Sequence, residues 1–358
     1  MNYSFIADVH IGNHKNFGGA SNKGINRRCQ SILEVFEKAC ARSVSRETVL
    51  VVLGDLFDKV VFQPQIAVAT AEIIQRTGAK VILLCGNHEA DSDKPGDHAL
   101  GIFTLLGGSV KVIDYPMVID GILFCPHRRP EGNTDSLGYL RACLKAAESL
   151  GGAPRALAVH LGLFSSKDQN PPWVYDAGDA VEVEKLAELL KGTEIEHVYA
   201  GNWHDPKTWE VGGISFYQVG ALVPTGWNNP GELFGQVLES DLARVESVYL
   251  EGPRFLSVKW GDNLPKGSSS TYLKIECLPN EITAVRAALE GGDYAGLMIV
   301  PSDDNSRAVA HQAARAATSA VTLSEVVHAY LGNLSYPEDV QREEVAKLVL
   351  DALDTTRC

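Results

Sequence analysis

Five short apolar runs in the first 200 residues each stop at an aspartate, asparagine or histidine, and this repeated junction constrains the fold more than any other feature of the chain. The runs are Tyr3–Ala7, Thr48–Leu53, Lys80–Cys85, Ala156–Val159 and His197–Ala200, and they lead into Asp8, Gly54-Asp55, Gly86-Asn87, His160 and Gly201-Asn202. Each run is rich in Val, Ile, Leu or Ala and bounded by polar residues, as strands are. Helical spacing lies between them. Ile32, Leu33, Phe36, Ala39 and Cys40 share one face, and Leu186, Leu189 and Leu190 share another. The alternation implies an α/β domain, and such domains gather ligands at the carboxyl ends of their strands.

Further short strands are expected at Val110–Ile113, Met117–Ile119, Ile122–Cys125, Thr208–Val211, Ile214–Val219, Gly235–Leu238, Val245–Leu250 and Phe255–Trp260. Two sheets with helices outside would hold both sets, so one catalytic domain is expected over residues 1–260. The stretch Gly261 to Ser270 reads as a linker. After it come a strand Tyr272–Cys277, a helix capped by Asn280 and a strand Leu297–Val300, the start of a small α+β cap domain over residues 271–335. Thr322 with Glu325 forms a capping box for the next helix. Residues 336–358 are expected to hold a final helix, either a partner-docking element or a helix packed on its own domain.

Net charge is −13, which argues against a broad basic face for nucleic acid, although bound cations and a few arginines can still hold phosphate. No apolar run approaches the roughly 20 residues that cross a bilayer. The opening residues lack the basic start and apolar core of a signal peptide, and the seven cysteines form no CxxC pair. A cytoplasmic protein with reduced, buried thiols is expected.

Each junction has a chemical reading beside an ordinary one. Asp8 and His10 can face one ion from extended chain, yet an aspartate after a strand is also a common turn residue. Asp55, behind Gly54, can bridge two cations, or be a solvated loop carboxylate. The Asn87 amide oxygen suits a hard cation, and His88 can serve as an acid or a phosphate contact. His160 and His204 each stand in the same series, where a lone histidine would be read as structural.

The order Asp8-x-His10, Gly54-Asp55, Gly86-Asn87-His88-Glu89, His160 and Gly201-x-x-His204 resembles the calcineurin-like metallophosphoesterase superfamily over about the first 220 residues. The resemblance implies a four-layer α/β/β/α sandwich. It implies one metal held by Asp8, His10, Asp55 and His204, and a second by Asp55, Asn87, His160 and Asn202. His88 occupies the family's catalytic position, and Asp58 is a second catalytic candidate. Mixed Asp, His and Asn ligation without thiolate points to Mn²⁺ first, with Mg²⁺, Fe or Zn²⁺ as alternatives. Two such ions would clamp a phosphate and acidify a shared water. The chain departs from the family at Asn202, where a histidine is usual.

Gly54-Asp55-Leu56-Phe57-Asp58, the strand ending Cys125-Pro126-His127, and the stretch Ala99 to Gly107 look like the SbcD-type nucleases of double-strand-break repair. That resemblance implies DNA exo- or endonuclease activity, a separate SbcC-type SMC-like ATPase subunit and a homodimer. His14, Arg27, Arg28, His127 and Arg128 are the candidate substrate contacts, with Lys15 and Arg129 nearby. Trp173, Trp203 and Trp209 could stack on bases or pack in the core. A cyclic-nucleotide phosphodiesterase and a weakened partner-binding subunit are the alternatives.

Overall fold

A computed structural model describes residues 2–92, 94–128, 135–149, 151–168, 180–227, 234–302 and 347. The chain divides into two compact units. The first, Met1–Leu256 with Ser268–Tyr272 and Tyr294–Gly296, contains all the junctions above.

Its strands, in chain order, are β1 (Tyr3–Ile6), β2 (Val49–Val52), β3 (Val81–Leu84), β4 (Val110–Ile113), β5 (Met117–Ile119), β6 (Ile122–Cys125), β7 (Ala156–His160), β8 (His197–Gly201), β9 (Lys207–Val211), β10 (Ile214–Gln218), β11 (Gln236–Ser240) and β12 (Val245–Tyr249). They form two six-stranded sheets, ordered β12-β11-β1-β2-β3-β4 and β9-β10-β8-β7-β6-β5. β1 runs parallel to β2 and β2 to β3, while β7 runs parallel to β8, so the five junction strands end on the same side of their sheets. The outer pairs β11–β12, β9–β10 and β5–β6 are antiparallel.

The two-residue alternation of strand side chains sorts the apolar residues into three layers of core. Tyr3, Phe5, Val51, Leu53, Ile82, Leu84, Ala156 and Ala158 pack between the sheets. Ile6, Leu50, Val52, Val81 and Leu83 face the other way, onto α1 (Arg27–Ser45) and α2 (Pro64–Thr77). Leu157 and Val159 face α3 (Ser136–Ser149) and α4 (Val183–Leu190). This is the α/β/β/α order that the sequence implied. Because the strands are buried on both faces, they read as continuous apolar runs. Between the sheets Phe5 stacks on Tyr199 with ring centroids 4.0 Å apart.

Helix ends follow local chemistry. The Asn26 carboxamide oxygen accepts the Cys29 N–H at 2.8 Å and starts α1. Pro64 opens α2, and Gly78 at φ 73° closes it. Two three-residue strands, Gly162–Phe164 and Ala180–Glu182, pair in a separate small sheet that the sequence pattern had not marked, being too short to show a period.

The second unit comprises Ser257–Gly267, Leu273–Asp293 and the chain from Leu297. Its helix α5 (Ile282–Leu289) corrects the expected Asn280 cap. Asn280 lies inside a short 3-10 turn, and the Glu281 carboxylate accepts the Leu278 N–H at 2.8 Å instead. The capping box at Thr322 and the helix expected near the C-terminus lie outside the described residues. Among the described residues all six cysteines are free and buried, and no helix is long and apolar enough to cross a membrane.

Candidate metal centre

Beyond the strand ends the loops run side by side. The N–H groups of Asp8, His10 and Ile11 donate to the carbonyls of Gly54, Asp55 and Leu56 at 3.2, 2.9 and 2.8 Å. Asp8, His10 and Asp55 take left-handed backbone conformations at φ 50°, 50° and 54°, and Asn202 at 83°. Such conformations cost about 1–3 kcal/mol each in an ordinary side-chain-bearing residue and collect at functional sites. Two motif glycines are required by close approach. A Cβ on Gly54 would meet His160 Nδ1 at 2.1 Å, and one on Gly86 would meet Asp55 Oδ1 at 2.2 Å.

These loops bring seven polar side chains together. Three overlapping sets have ligand atoms mutually within 4.8 Å: Asp8, His10 and His204; His10, Asp55 and His88; and Asp8, Asp55 and His160. His10 Nε2 lies 3.0 Å from His204 Nε2 and 3.8 Å from Asp55 Oδ2. His160 Nε2 lies 2.8 Å from the Asn87 Oδ1 atom and 3.4 Å from Asp55 Oδ1. His88 Nε2 stands 4.0 Å from Asp55 Oδ2 on the open rim. Asp8, His10, Asp55 and His160 are all buried.

The donor set fits divalent cations. His160 Nδ1 donates to the Leu53 carbonyl at 2.6 Å, so Nε2 is the nitrogen that turns a lone pair to the cluster whenever the ring is neutral. That lone pair faces the oxygens of Asn87 and Asp55, and two further imidazole nitrogens face each other at 3.0 Å. Lone pairs in such contact repel unless a proton or a cation lies among them. A divalent ion is the stronger counter-charge for buried carboxylates. The three overlapping clusters, with this donor chemistry, describe a dinuclear divalent metal site.

The electrostatics of the metal-free site show the same demand. Burial pushes the Asp8 carboxyl up to about 7, and burial with the neighbouring Asp55 charge pushes Glu89 up to about 8. Burial drives His10 down to about 3. For His160 burial opposes the charge, but Asp55 outweighs it and raises the ring to about 10. Burial likewise opposes charge on Asp55, and His160, His10 and His88 reverse this and hold it below the usual carboxylate range.

These shifts give stability a sign with pH. Asp8, Glu89 and His160 bind protons more tightly folded than unfolded, so their contribution is lost as pH rises through their folded values. The opposing groups, His10 and Asp55, have finished titrating in the unfolded chain by about pH 7. Chelator-treated protein is therefore expected to lose melting temperature from about pH 6.5 to 8, and saturating Mn²⁺ should flatten that slope. A scanning-calorimetry series in both conditions checks this.

The remaining candidates are placed as follows. The Asp58 backbone carbonyl accepts His88 Nδ1–H at 2.6 Å, and its carboxylate lies 3.9 Å from His10 Nδ1 and 4.0 Å from His14 Nδ1. His14 Nε2 also lies 3.1 Å from the His10 carbonyl. His127 is buried, edge-on to His160 at 6.1 Å between ring centroids. The arginines bond backbone carbonyls: Arg27 to Ser269 at 3.0 Å, Arg28 to Asn16 at 3.0 Å and to Thr225, and Arg128 to Asp114 at 2.9 Å. Arg28 is buried with its guanidinium 5.1 Å above the Phe255 ring. Trp203 lies flat against Gly162, where a Cβ would meet its ring at 2.3 Å. Trp209 donates to Asp168 at 3.3 Å on strand β9. Lys15 is exposed, and Arg129 and Trp173 lie outside the described residues.

Two residues with positioning roles were not among the candidate site residues. The buried Glu89 carboxylate accepts the N–H groups of Asp55, Phe57 and Gly86 at 3.0, 2.8 and 2.9 Å. It ties the second junction to the third. The buried Gln218 amide accepts from Leu163 N–H at 2.8 Å and donates to the Gly201 and Trp203 carbonyls at 2.8 and 3.1 Å. It fixes the loop that carries Asn202 and His204. Glu89 was visible as the last residue of its motif, whereas Gln218 had no signal beyond being polar at the end of an apolar strand.

The solved structures similar to this chain include the TT1561 protein of Thermus thermophilus, at 13% identity and TM-score 0.46, covering 69% of this chain and 98% of that one. A dimetal phosphatase from Danio rerio is 13% identical at TM-score 0.41, covering 69% and 98%. An archaeal phosphodiesterase is 12% identical at TM-score 0.33, covering 70% and 100%. No curated protein matches the sequence. The family model described as calcineurin-like phosphoesterase matches residues 1–206, more than half of the chain and all five junctions. The chain belongs to the calcineurin-like phosphoesterase family.

Proposed function

We propose that this metallophosphoesterase is a phosphodiesterase that cleaves DNA in the manner of SbcD-type nucleases. In this reading Asp8, His10, Asp55 and His204 hold one ion, and Asp55, Asn87, His160 and Asn202 hold the other. When bound, the pair neutralises phosphate charge and lowers the pKa of a nearby water. The observation that carries phosphoryl chemistry is His88. Its Nδ1–H is fixed by the Asp58 carbonyl at 2.6 Å, so Nε2 is the atom presented over the cluster, on a side chain 40% exposed. Protonated there, it donates to the leaving oxygen. The Asn202 N–H donates to both Asp8 oxygens, at 3.0 and 3.1 Å, and holds that carboxylate in place.

DNA as substrate is supported by the SbcD-like second motif. The separate ATPase, the homodimer and Mn²⁺ as the native ion belong to the same proposal. A second reading, hydrolysis of small cyclic phosphodiesters, is favoured by the net charge of −13 and by the backbone carbonyls that occupy Arg28 and Arg128. Labelled linear DNA, single- and double-stranded, with Mn²⁺ separates them. Degradation by the wild type is expected. Intact DNA with hydrolysis of cyclic nucleotides would overturn the nuclease reading.

His88→Ala should lower kcat by about 10²–10⁴-fold, the usual worth of a positioned acid. The affinity for Mn²⁺, measured by calorimetry, should stay within about twofold, because the ring's role is proton transfer.

A further inference from the structure

We propose that the two ion positions are unequal: the ion at Asp8, His10, Asp55 and His204 is held without substrate, whereas the position at Asp55, Asn87, His160 and Asn202 is a weak, oxygen-preferring one that the substrate's phosphate completes. This rests on the ligand set proposed above.

The donors on the two sides differ in kind. On the first side two imidazole nitrogens converge to 3.0 Å, and the buried carboxylates of Asp8 and Asp55 supply two negative charges. On the second side the single imidazole is His160, and the single carboxylate, Asp55, is shared. Asn87 Oδ1 stands 2.8 Å from His160 Nε2, and Asn202, assigned to this side by the proposed ligand set, has only a neutral amide to add. Asp8 also lies within range of His160, and the ligand set proposed above assigns it to the first side. The asparagine is not forced by the backbone. At φ 83° the left-handed region is open to aspartate and histidine as well, the same small group of residues that visits it. The backbone there thus tolerates a residue able to supply charge or an imidazole, and a neutral amide stands in its place.

The consequence follows from donor preference. Imidazole-rich positions suit Zn²⁺ and its neighbours, while carbonyl and carboxylate oxygens suit Mg²⁺ and Mn²⁺. A position with one shared charge lacks the anionic oxygens that such hard ions want, and phosphate provides them. By linkage, phosphate then tightens the second ion, and that ion tightens phosphate by the same factor.

Chelator-stripped full-length protein titrated with Mn²⁺ by calorimetry, with free Mn²⁺ counted by paramagnetic resonance, tests this without turnover. One ion is expected to bind at least about tenfold more tightly than the other, the scale on which ligand-shell changes act. Inorganic phosphate should tighten only the weaker ion. Asn202→Asp and Asn202→His should each tighten the weaker ion about tenfold or more and leave the tight one alone. Two equally tight ions in the wild type would overturn the proposal while leaving the ligand set standing, whereas no change in either Asn202 variant would overturn the proposal together with the place of Asn202 in that set. His10→Ala and His160→Ala check that set separately: loss of the tight ion in His160→Ala instead of His10→Ala would overturn both.

Discussion

Asp55→Ala is expected to abolish phosphodiester hydrolysis and to remove metal binding with it. The residue lies 3.4 Å from His160 Nε2 on one side and 3.8 Å from His10 Nε2 on the other, so it touches both halves of the donor cluster. Outer-shell partners of metal ligands are worth roughly 10–100-fold in affinity or activity, and a shared ligand should exceed that range. A kcat/KM loss greater than about a hundredfold, together with loss of the Mn²⁺ calorimetric signal, is the expected pair of results. Asp55 is also buried beside His160, whose charge it stabilises. Its loss therefore relieves part of the metal-free site's demand for protons, and the chelated variant should show a weaker fall of melting temperature between about pH 6.5 and 8.

Glu89→Ala is expected to be the most destabilising single change near the site. Three backbone N–H groups at 2.8 to 3.0 Å would lose their acceptor in a fully buried position. Each unsatisfied buried donor costs about 1–3 kcal/mol, so a loss of about 3–5 kcal/mol is expected after local relaxation. Glu89→Gln is the more informative variant. It can keep one oxygen toward Asp55 and Gly86, but it sets its amide N–H₂ against the Phe57 N–H. About 1–3 kcal/mol of destabilisation is expected, with Mn²⁺ affinity reduced because the loop that aims Asp55 is loosened. Urea unfolding and calorimetry on the same sample separate the two effects. Unchanged Mn²⁺ affinity in Glu89→Gln would show that the clamp serves stability alone.

The sequence revealed what depends on local pattern. Strands buried on both faces must be apolar throughout, so Val49–Val52 and Val81–Leu84 stand out against the polar residues that end them. Asp8, His10, Asp55, Asn87, His88, His160 and His204 were visible because each follows such a run, and the structure brings them together. What was hidden depends on contacts between distant segments. The arginine pair Arg27-Arg28 reads as surface charge, yet Arg28 is buried over the Phe255 and Tyr272 rings and holds the Asn16 and Thr225 carbonyls. The Gln218 amide joins two separate stretches, Leu163 and the Ala200 to Trp203 loop, and nothing in the residues beside it encodes that. At Asn280 a good local cap candidate lost to Glu281, whose longer side chain reaches the Leu278 N–H from one residue further on.

The most direct test of the central claim, a pair of divalent ions about Asp55, is a crystal structure of the Mn²⁺-loaded protein with anomalous scattering recorded at the manganese edge. Two peaks are expected, one bounded by Asp8, His10 and His204 and the other by Asn87 and His160, with the Asp55 carboxylate between them. Peaks away from these residues, or a single peak at saturating Mn²⁺ with phosphate present, would contradict it.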